Sequence, residues 1–182
     1  MQVIEALGVR DSPARVEPPD RGLVRVAAGQ HRWHPDPGEH RAALTEGVGL
    51  AAATGAQVVC LQELTLAPYF ASLPHGAAAL GVEPEALPGG PTHAFATELA
   101  SEHGVHVHAS LFEAPGPGGP HDPEGRGFNT AICVAPDGTL VARTRKVHIP
   151  LTAGYHEDRF FLPGDSGFPV VPIAGAQFGF PT

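Results

Sequence analysis

The stretch "FNTAICVAPDGTLVARTRK", Phe128 to Lys146, decides how this chain folds. Two apolar runs flank Asp137-Gly138, a pair that favours a tight reversal between neighbouring strands, so the stretch predicts a β-hairpin. It ends on Lys146, the single lysine of the chain; the rest of the 11 Lys and Arg residues are arginine. A guanidinium stays protonated and spreads its charge over a planar fork. An ammonium is a compact charge whose proton affinity responds readily to burial. A strand that ends on the one lysine of an arginine-rich chain is therefore a candidate site for chemistry, weighed against an accident of composition.

Upstream of the hairpin, "LVRVAAGQ" (Leu23–Gln30) reads as a first strand. "PGEHRAALTEGVGLAAATG" begins on a proline and an acid, repeats apolar residues at helical spacing and stops at Gly55. "AQVVCLQE" is short and almost continuously apolar, as a strand covered on both faces would be. "GGPTHAFATELASEHG" predicts a second helix, with Pro91 near its start and Gly104 at its end. "VHVHASLFE" predicts a third strand, followed by a Pro/Gly-rich loop over 115–127. Past the hairpin, "GFPVVPI" and "AQFGFPT" read as two more short strands. The order β-α-β-α-β-β-β predicts a layered α/β domain with a mixed sheet.

At 182 residues and 42% hydrophobic content, the chain suits one globular domain. Residues 1–22, polar and rich in proline, read as a flexible N-terminal extension, and 23–182 as the domain. The N-terminus lacks a basic stretch followed by an apolar one, and no apolar run approaches the roughly 18 residues of a membrane helix. Formal net charge is −8 with no basic block, which argues against nucleic acid and anionic membranes as partners. Cys60 and Cys133 lie inside apolar runs and read as free thiols of a reducing, cytoplasmic setting. Eleven histidines, including "HRWH" (His31, His34) and "HVH" (His106, His108), raise the question of a metal. No HExxH or Cys/His spacing accompanies them, so satisfied or solvated histidines are the better reading. No GxGxxG or Walker loop opens a helix.

Four charged residues sit where α/β sheets meet their ligands. Glu63 leaves the strand Val58–Leu61, Lys146 ends its own strand, Glu113 ends "ASLFE", and Glu157 lies in "GYHEDRFFLPGD". Taken singly, each acid reads as a solvated loop residue. Their surroundings say more. "VRVAAGQ", "GAQVVCLQELTLAPYF", "GFNTAICVAPDGTLVARTRKVHIP" and "YHEDRFFLPGDSGFPV", in that order, closely resemble the carbon–nitrogen hydrolase (nitrilase) superfamily. Within it, the branch that these stretches resemble is the N-carbamoylputrescine amidase and N-carbamoyl-amino-acid hydrolase group.

The resemblance implies an α-β-β-α layered sandwich of the nitrilase type, incomplete at the C-terminus. It also implies a Glu-Lys-Cys triad with an assisting glutamate. Glu63 in "LQEL" matches the general base, Lys146 in "RKVHIP" the triad lysine, and Glu157 in "HEDRFF" the assisting carboxylate. The implied substrate is a small non-peptide amide or carbamoyl compound, hydrolysed without metal or organic cofactor by an enzyme that is a homo-oligomer when complete. The triad cysteine is expected directly after a strand like "FGFPT", where this chain reaches Thr182. The chain thus reads as the N-terminal part of such a hydrolase, inactive as it stands. The alternative is a non-catalytic protein of the same fold, acting as a binding or assembly partner.

Overall fold

The computed structural model describes residues 1–6, 13–14, 22–117, 119 and 122–182. The remainder of the expected N-terminal extension, 7–12 and 15–21, lies outside the described residues. Residues 1–6 run beside the domain: the Met1 ammonium meets Glu46 at 2.8 Å and Glu5 meets Arg25 at 3.5 Å.

The elements in chain order are β1 (Val26–Ala28), α1 (Pro37–Ala53), β2 (Val58–Cys60), the short α2 (Gly76–Ala79), α3 (Pro91–His103), β3 (His106–Glu113), β4 (Phe128–Val134), β5 (Leu140–Arg145), β6 (Val170–Ile173) and β7 (Ala176–Gly179). α1 starts where the Asp36 carboxylate accepts the Glu39 N–H at 2.8 Å, with Pro37 filling a position that needs no donor. α3 is capped from outside: the Glu85 carboxylate accepts both the Thr92 N–H and its hydroxyl at 2.7 Å. It stops at Gly104, which adopts a left-handed φ of 65°.

β1 to β5 form one sheet in sequence order, parallel from β1 to β3 and antiparallel from β3 to β5. The period of two divides its residues between faces. Val59, Val107, Ala109, Leu111, Ile132 and Val134 pack beneath α1 and α3. Val58 and Cys133 face the other way, onto Ile173 and Phe180. The β4–β5 connection carries Gly138 at φ 85°, with its N–H donating to the Ala135 carbonyl at 2.9 Å. Asp137-Gly138 thus sits in a four-residue turn, and the register shifts at Cys133/Val134.

Three expectations are corrected. The first strand is Val26–Ala28 rather than Leu23–Gln30, because as an edge strand it has a ladder partner only along the three residues of β2. β6 and β7 do not join the mixed sheet. Ala174 and Gly175, at φ 50° and 77°, close them into a separate hairpin that packs across the face opposite the helices, giving helix, sheet and hairpin layers. Glu113 is no solvated loop acid: its side chain is 1% exposed. Alternation puts Glu113, Thr130, Arg143 and Arg145 on one face. There the carboxylate accepts from Arg143, from Arg145 at 2.7 and 3.2 Å and from the Thr130 hydroxyl at 2.7 Å. Arg145 also stacks 3.6 Å over Phe128 and reaches Asp165 at 2.6 Å.

Removing one member of a buried charge pair leaves its partners desolvated and unmatched. Glu113→Gln is therefore expected to lower stability by about 3–5 kcal/mol, read as a shifted denaturant midpoint. A loss under about 1 kcal/mol, the worth of a surface pair, overturns this. A second expectation concerns pH. Burial holds His40 and His108 below their ordinary value of 6.5. Both stay neutral in the fold while the unfolded chain takes up protons, so their contribution is complete above pH 6.5 and is lost as pH falls below it. Melting temperature should decline from pH 7 to 5.5, and His108→Leu should flatten the decline; an unchanged slope counts against it.

Candidate active site

Glu63 leaves the sheet just after β2. The loop that holds it is pinned from several sides: the Leu61 N–H donates to the His108 carbonyl at 2.9 Å and the Thr65 N–H to the Ser110 carbonyl at 2.8 Å. The Thr65 hydroxyl accepts the Ser110 N–H and donates to the Gln62 carbonyl, both at 2.9 Å. The buried His40 ring donates from Nε2 to the Thr65 carbonyl at 2.9 Å, which fixes its neutral tautomer. Leu64 takes a left-handed φ of 50°, unfavourable for a branched side chain. The twist drops Leu64 into a core with Phe70, Phe112, Phe160 and Phe161 and leaves Glu63 beside the sheet end. A strained backbone next to a charged side chain is the pattern of a site held by its surroundings.

Lys146 follows β5, its N–H extending the ladder to the Asn129 carbonyl at 2.8 Å. The segment 162–166 then closes on this strand end. The Gly164 N–H donates to the Lys146 carbonyl at 2.8 Å, and the Arg145 N–H to the Ser166 hydroxyl at 2.7 Å. A side chain at Gly164 would put its Cβ 2.2 Å from the Arg145 carbonyl oxygen, so only glycine permits this approach. Glu157 opens a single 3₁₀ turn, Glu157–Arg159, anchored by the His156 N–H on the Ala71 carbonyl at 2.7 Å and by Phe160 and Phe161 in the core.

These three elements deliver their charges to one place. Lys146 Nζ donates to Glu157 Oε2 at 2.7 Å and lies 3.5 Å from Glu63 Oε1. Tyr69 donates its hydroxyl to the other Glu157 oxygen at 2.8 Å. Burial, and then that bond to Glu157, push the Tyr69 phenol far above its ordinary range, so it stays a donor. Asn129 Nδ2 donates to Glu63 Oε1 at 2.5 Å. The two carboxylates differ in their surroundings. Glu157 is 5% exposed and occupied by lysine and tyrosine, whereas Glu63 is 36% exposed. The first is closed off by its two donors, and the second keeps an edge open to solvent. An ammonium has three donors, so Lys146 keeps capacity for an oxygen beyond its carboxylates.

The expected residues Glu63, Lys146 and Glu157 thus meet, and Glu113 stands apart on the opposite face. Tyr69 and Asn129 belong to the cluster and were missed. Tyr69 has no sequence signal of its own, while Asn129 offered a weak one, an asparagine inside a seven-residue strand of buried residues. Neither cysteine reaches the cluster. Cys133 lies four residues from Asn129 along β4, about 13 Å at strand rise. Burial pushes its thiol up to about 12. Cys60 ends β2 against the apolar residues under the β6–β7 hairpin, and burial raises it too. Among the described residues no group of three or more His, Cys, Asp or Glu is arranged to hold a metal ion, and no helix is long and apolar enough to cross a membrane.

A sheet flanked by helices on one face and a hairpin on the other, with a lysine between two glutamates at its end, defines a layered α/β protein with a charged cluster at the sheet end. The chain belongs to the carbon–nitrogen hydrolase family, whose model matches residues 25–181. It is 32% identical over 157 residues to an N-carbamoylputrescine amidase of Solanum lycopersicum, covering 86% of this chain and 49% of that protein. It is 26% identical over 156 residues to a citrullinase of Francisella tularensis, covering 86% and 51%. Among solved structures, a carbon–nitrogen hydrolase from Helicobacter pylori superimposes with a TM-score of 0.62 at 24% identity, over 85% of this chain and 49% of that one. An amidase from Nesterenkonia sp. gives 0.61 at 24% identity, over 86% and 54%. The chain spans about half the length of the curated relatives it matches.

Both thiols are therefore expected to behave as packing groups. In the folded chain at pH 8, iodoacetamide should leave Cys133 unmodified until denaturant is added, and Cys133→Ala should keep the fold. Rapid alkylation of Cys133 in the native state, read by mass spectrometry, overturns this assignment.

Proposed function

We propose that this chain carries the Glu–Lys part of a centre that hydrolyses carbon–nitrogen bonds in small amide or carbamoyl compounds. Glu63 is the general base, Lys146 the oxyanion partner and Glu157 the carboxylate that holds the lysine. The observation that carries this reading is the Lys146 ammonium, 2.7 Å from Glu157 and 3.5 Å from Glu63, at the sheet end. The family membership supports the reaction class, and the amidase and citrullinase relatives support the substrate class.

The nucleophile in this reading is a cysteine supplied directly after Thr182. Support comes from Thr182 itself, whose hydroxyl donates to Asn129 Oδ1 at 3.3 Å, while the same amide donates to Glu63. The chain at 182 is thus two hydrogen bonds from the base. Glu63 takes the thiol proton, and the sulfur attacks the carbonyl carbon. The oxygen that becomes negative is met by the Lys146 ammonium, whose position is set before the reaction begins. The intermediate collapses as Glu63 returns the proton to the departing nitrogen, releasing ammonia or an amine. Water, deprotonated by Glu63, then attacks the thioester carbon, and the sulfur leaves and takes back the proton. A carbamoyl substrate processed this way gives ammonia and a carbamic acid, which breaks its remaining C–N bond on losing carbon dioxide and leaves the amine.

The whole protein on this reading is a cytoplasmic homo-oligomer with a small-molecule substrate. The free thiols support the reducing setting.

The test compares residues 1–182 with the same chain extended through the reading frame downstream of the Thr182 codon. Ammonia release is measured from N-carbamoyl amines and simple amides. The 182-residue chain should give none above background, because losing the nucleophile of a concerted unit costs on the order of a millionfold. The extended chain should turn over and lose that activity in Lys146→Ala. Equal turnover by both chains overturns the assignment, as does an extended chain whose activity survives Lys146→Ala.

A further inference from the structure

Asn129 is wholly buried near the start of β4, at a strand position where asparagine is rarely found. A buried amide is costly unless its donors and acceptors are matched, and here the match runs through the site. Its Nδ2 donates to Glu63 Oε1 at 2.5 Å. Its Oδ1 accepts from the Thr182 hydroxyl at 3.3 Å and, at the longer distance of 3.4 Å, from the Ser110 hydroxyl. Its backbone carbonyl accepts the Lys146 N–H at 2.8 Å. An ionised carboxylate can only accept, so the nitrogen must face Glu63, and that leaves the amide oxygen for the two hydroxyls, which donate. The orientation of the side chain is thereby determined from both ends.

We propose that Asn129 is a positioning residue: it locks the Glu63 carboxylate beside the Lys146 ammonium and ties both to the chain at Thr182. The role of Glu63 as base rests on the function proposed above, but the lock itself does not. Without the amide, the polar contact left to the Glu63 carboxylate among the described residues is the 3.5 Å approach to Lys146, too long for a good charged hydrogen bond, and at 36% exposure it is free to swing toward water. Among the described residues, Asn129 alone hydrogen-bonds to the Glu63 side chain, the Lys146 backbone and residue 182 together.

The lock is tested on the 182-residue chain by NMR, with no turnover required. The Asn129 Nδ2 protons, assigned through Asn129→Asp, should show one strongly downfield resonance that persists in Glu63→Gln, whose amide oxygen still accepts. That resonance should move upfield in Glu63→Ala. Glu63 is part-exposed, so both variants are expected to fold. A resonance unmoved in Glu63→Ala overturns the proposal. The functional consequence is tested on the extended chain. Asn129→Leu should lower kcat on the order of 100-fold with KM changed little, since a base displaced by about an ångström loses its alignment but not the substrate's contacts. An unchanged kcat overturns the positioning role, and so does a loss confined to KM. If the NMR signature is present and every extended variant, wild type included, is inactive, the lock stands and the hydrolase reading fails.

Discussion

A lysine ammonium taken out of water must be matched by negative charge close at hand, and the architecture around Lys146 follows from that requirement. One carboxylate, Glu157, is almost fully buried and receives both Lys146 and Tyr69. The other, Glu63, is part-exposed and receives Asn129. Bringing them within reach of one ammonium requires three segments to converge: the exit of β2, the end of β5 and the 3₁₀ turn at 157–159. The aromatic core of Phe70, Phe112, Phe160 and Phe161, with Leu64, supplies the rigidity that holds two of these segments together.

Strand alternation explains why position 146 is lysine when the chain otherwise uses arginine. Arg145 and Lys146 are adjacent and so point to opposite faces. Arg145 enters a planar, multiply bonded arrangement with Glu113, Thr130, Asp165 and the Phe128 ring, which suits a guanidinium fork. Lys146 meets one oxygen of each of two carboxylates, which suits a point charge. The two cations are not interchangeable there, and the sheet keeps their networks apart. Glu113 is thus a packing acid, although its place at a strand end is equivalent in sequence to that of Glu63.

The helices cover one face of the five-stranded sheet, and the β6–β7 hairpin covers part of the other, placing Phe180 against His108 and Thr182 against Asn129. That second layer brings the chain from the far side of the domain back to the carboxylate cluster. It also accounts for the raised proton affinity of the Cys133 thiol, which lies beneath the hairpin and is buried there.

Much of this was legible along the chain. Helix starts at Pro37 and Pro91, the stop at Gly104 and the Asp137-Gly138 turn are local signals, governed by φ preferences and unpaired backbone groups that act over a few residues. Glu63, Lys146 and Glu157 were legible through the order of short motifs around them. Other features depend on distances no local rule sees. The separate β6–β7 hairpin, the burial of Glu113 and the capping of α3 by Glu85 each join residues distant in sequence or in separate elements. Tyr69 reaches Glu157, and Asn129 reaches Glu63, only because strand registers and loop paths place them there. The sequence alone determined which residue types could carry the chemistry and where the backbone would turn. Tertiary structure decided which charges are neighbours, because burial and Coulomb energy depend on separation in space, and separation in space is set by packing.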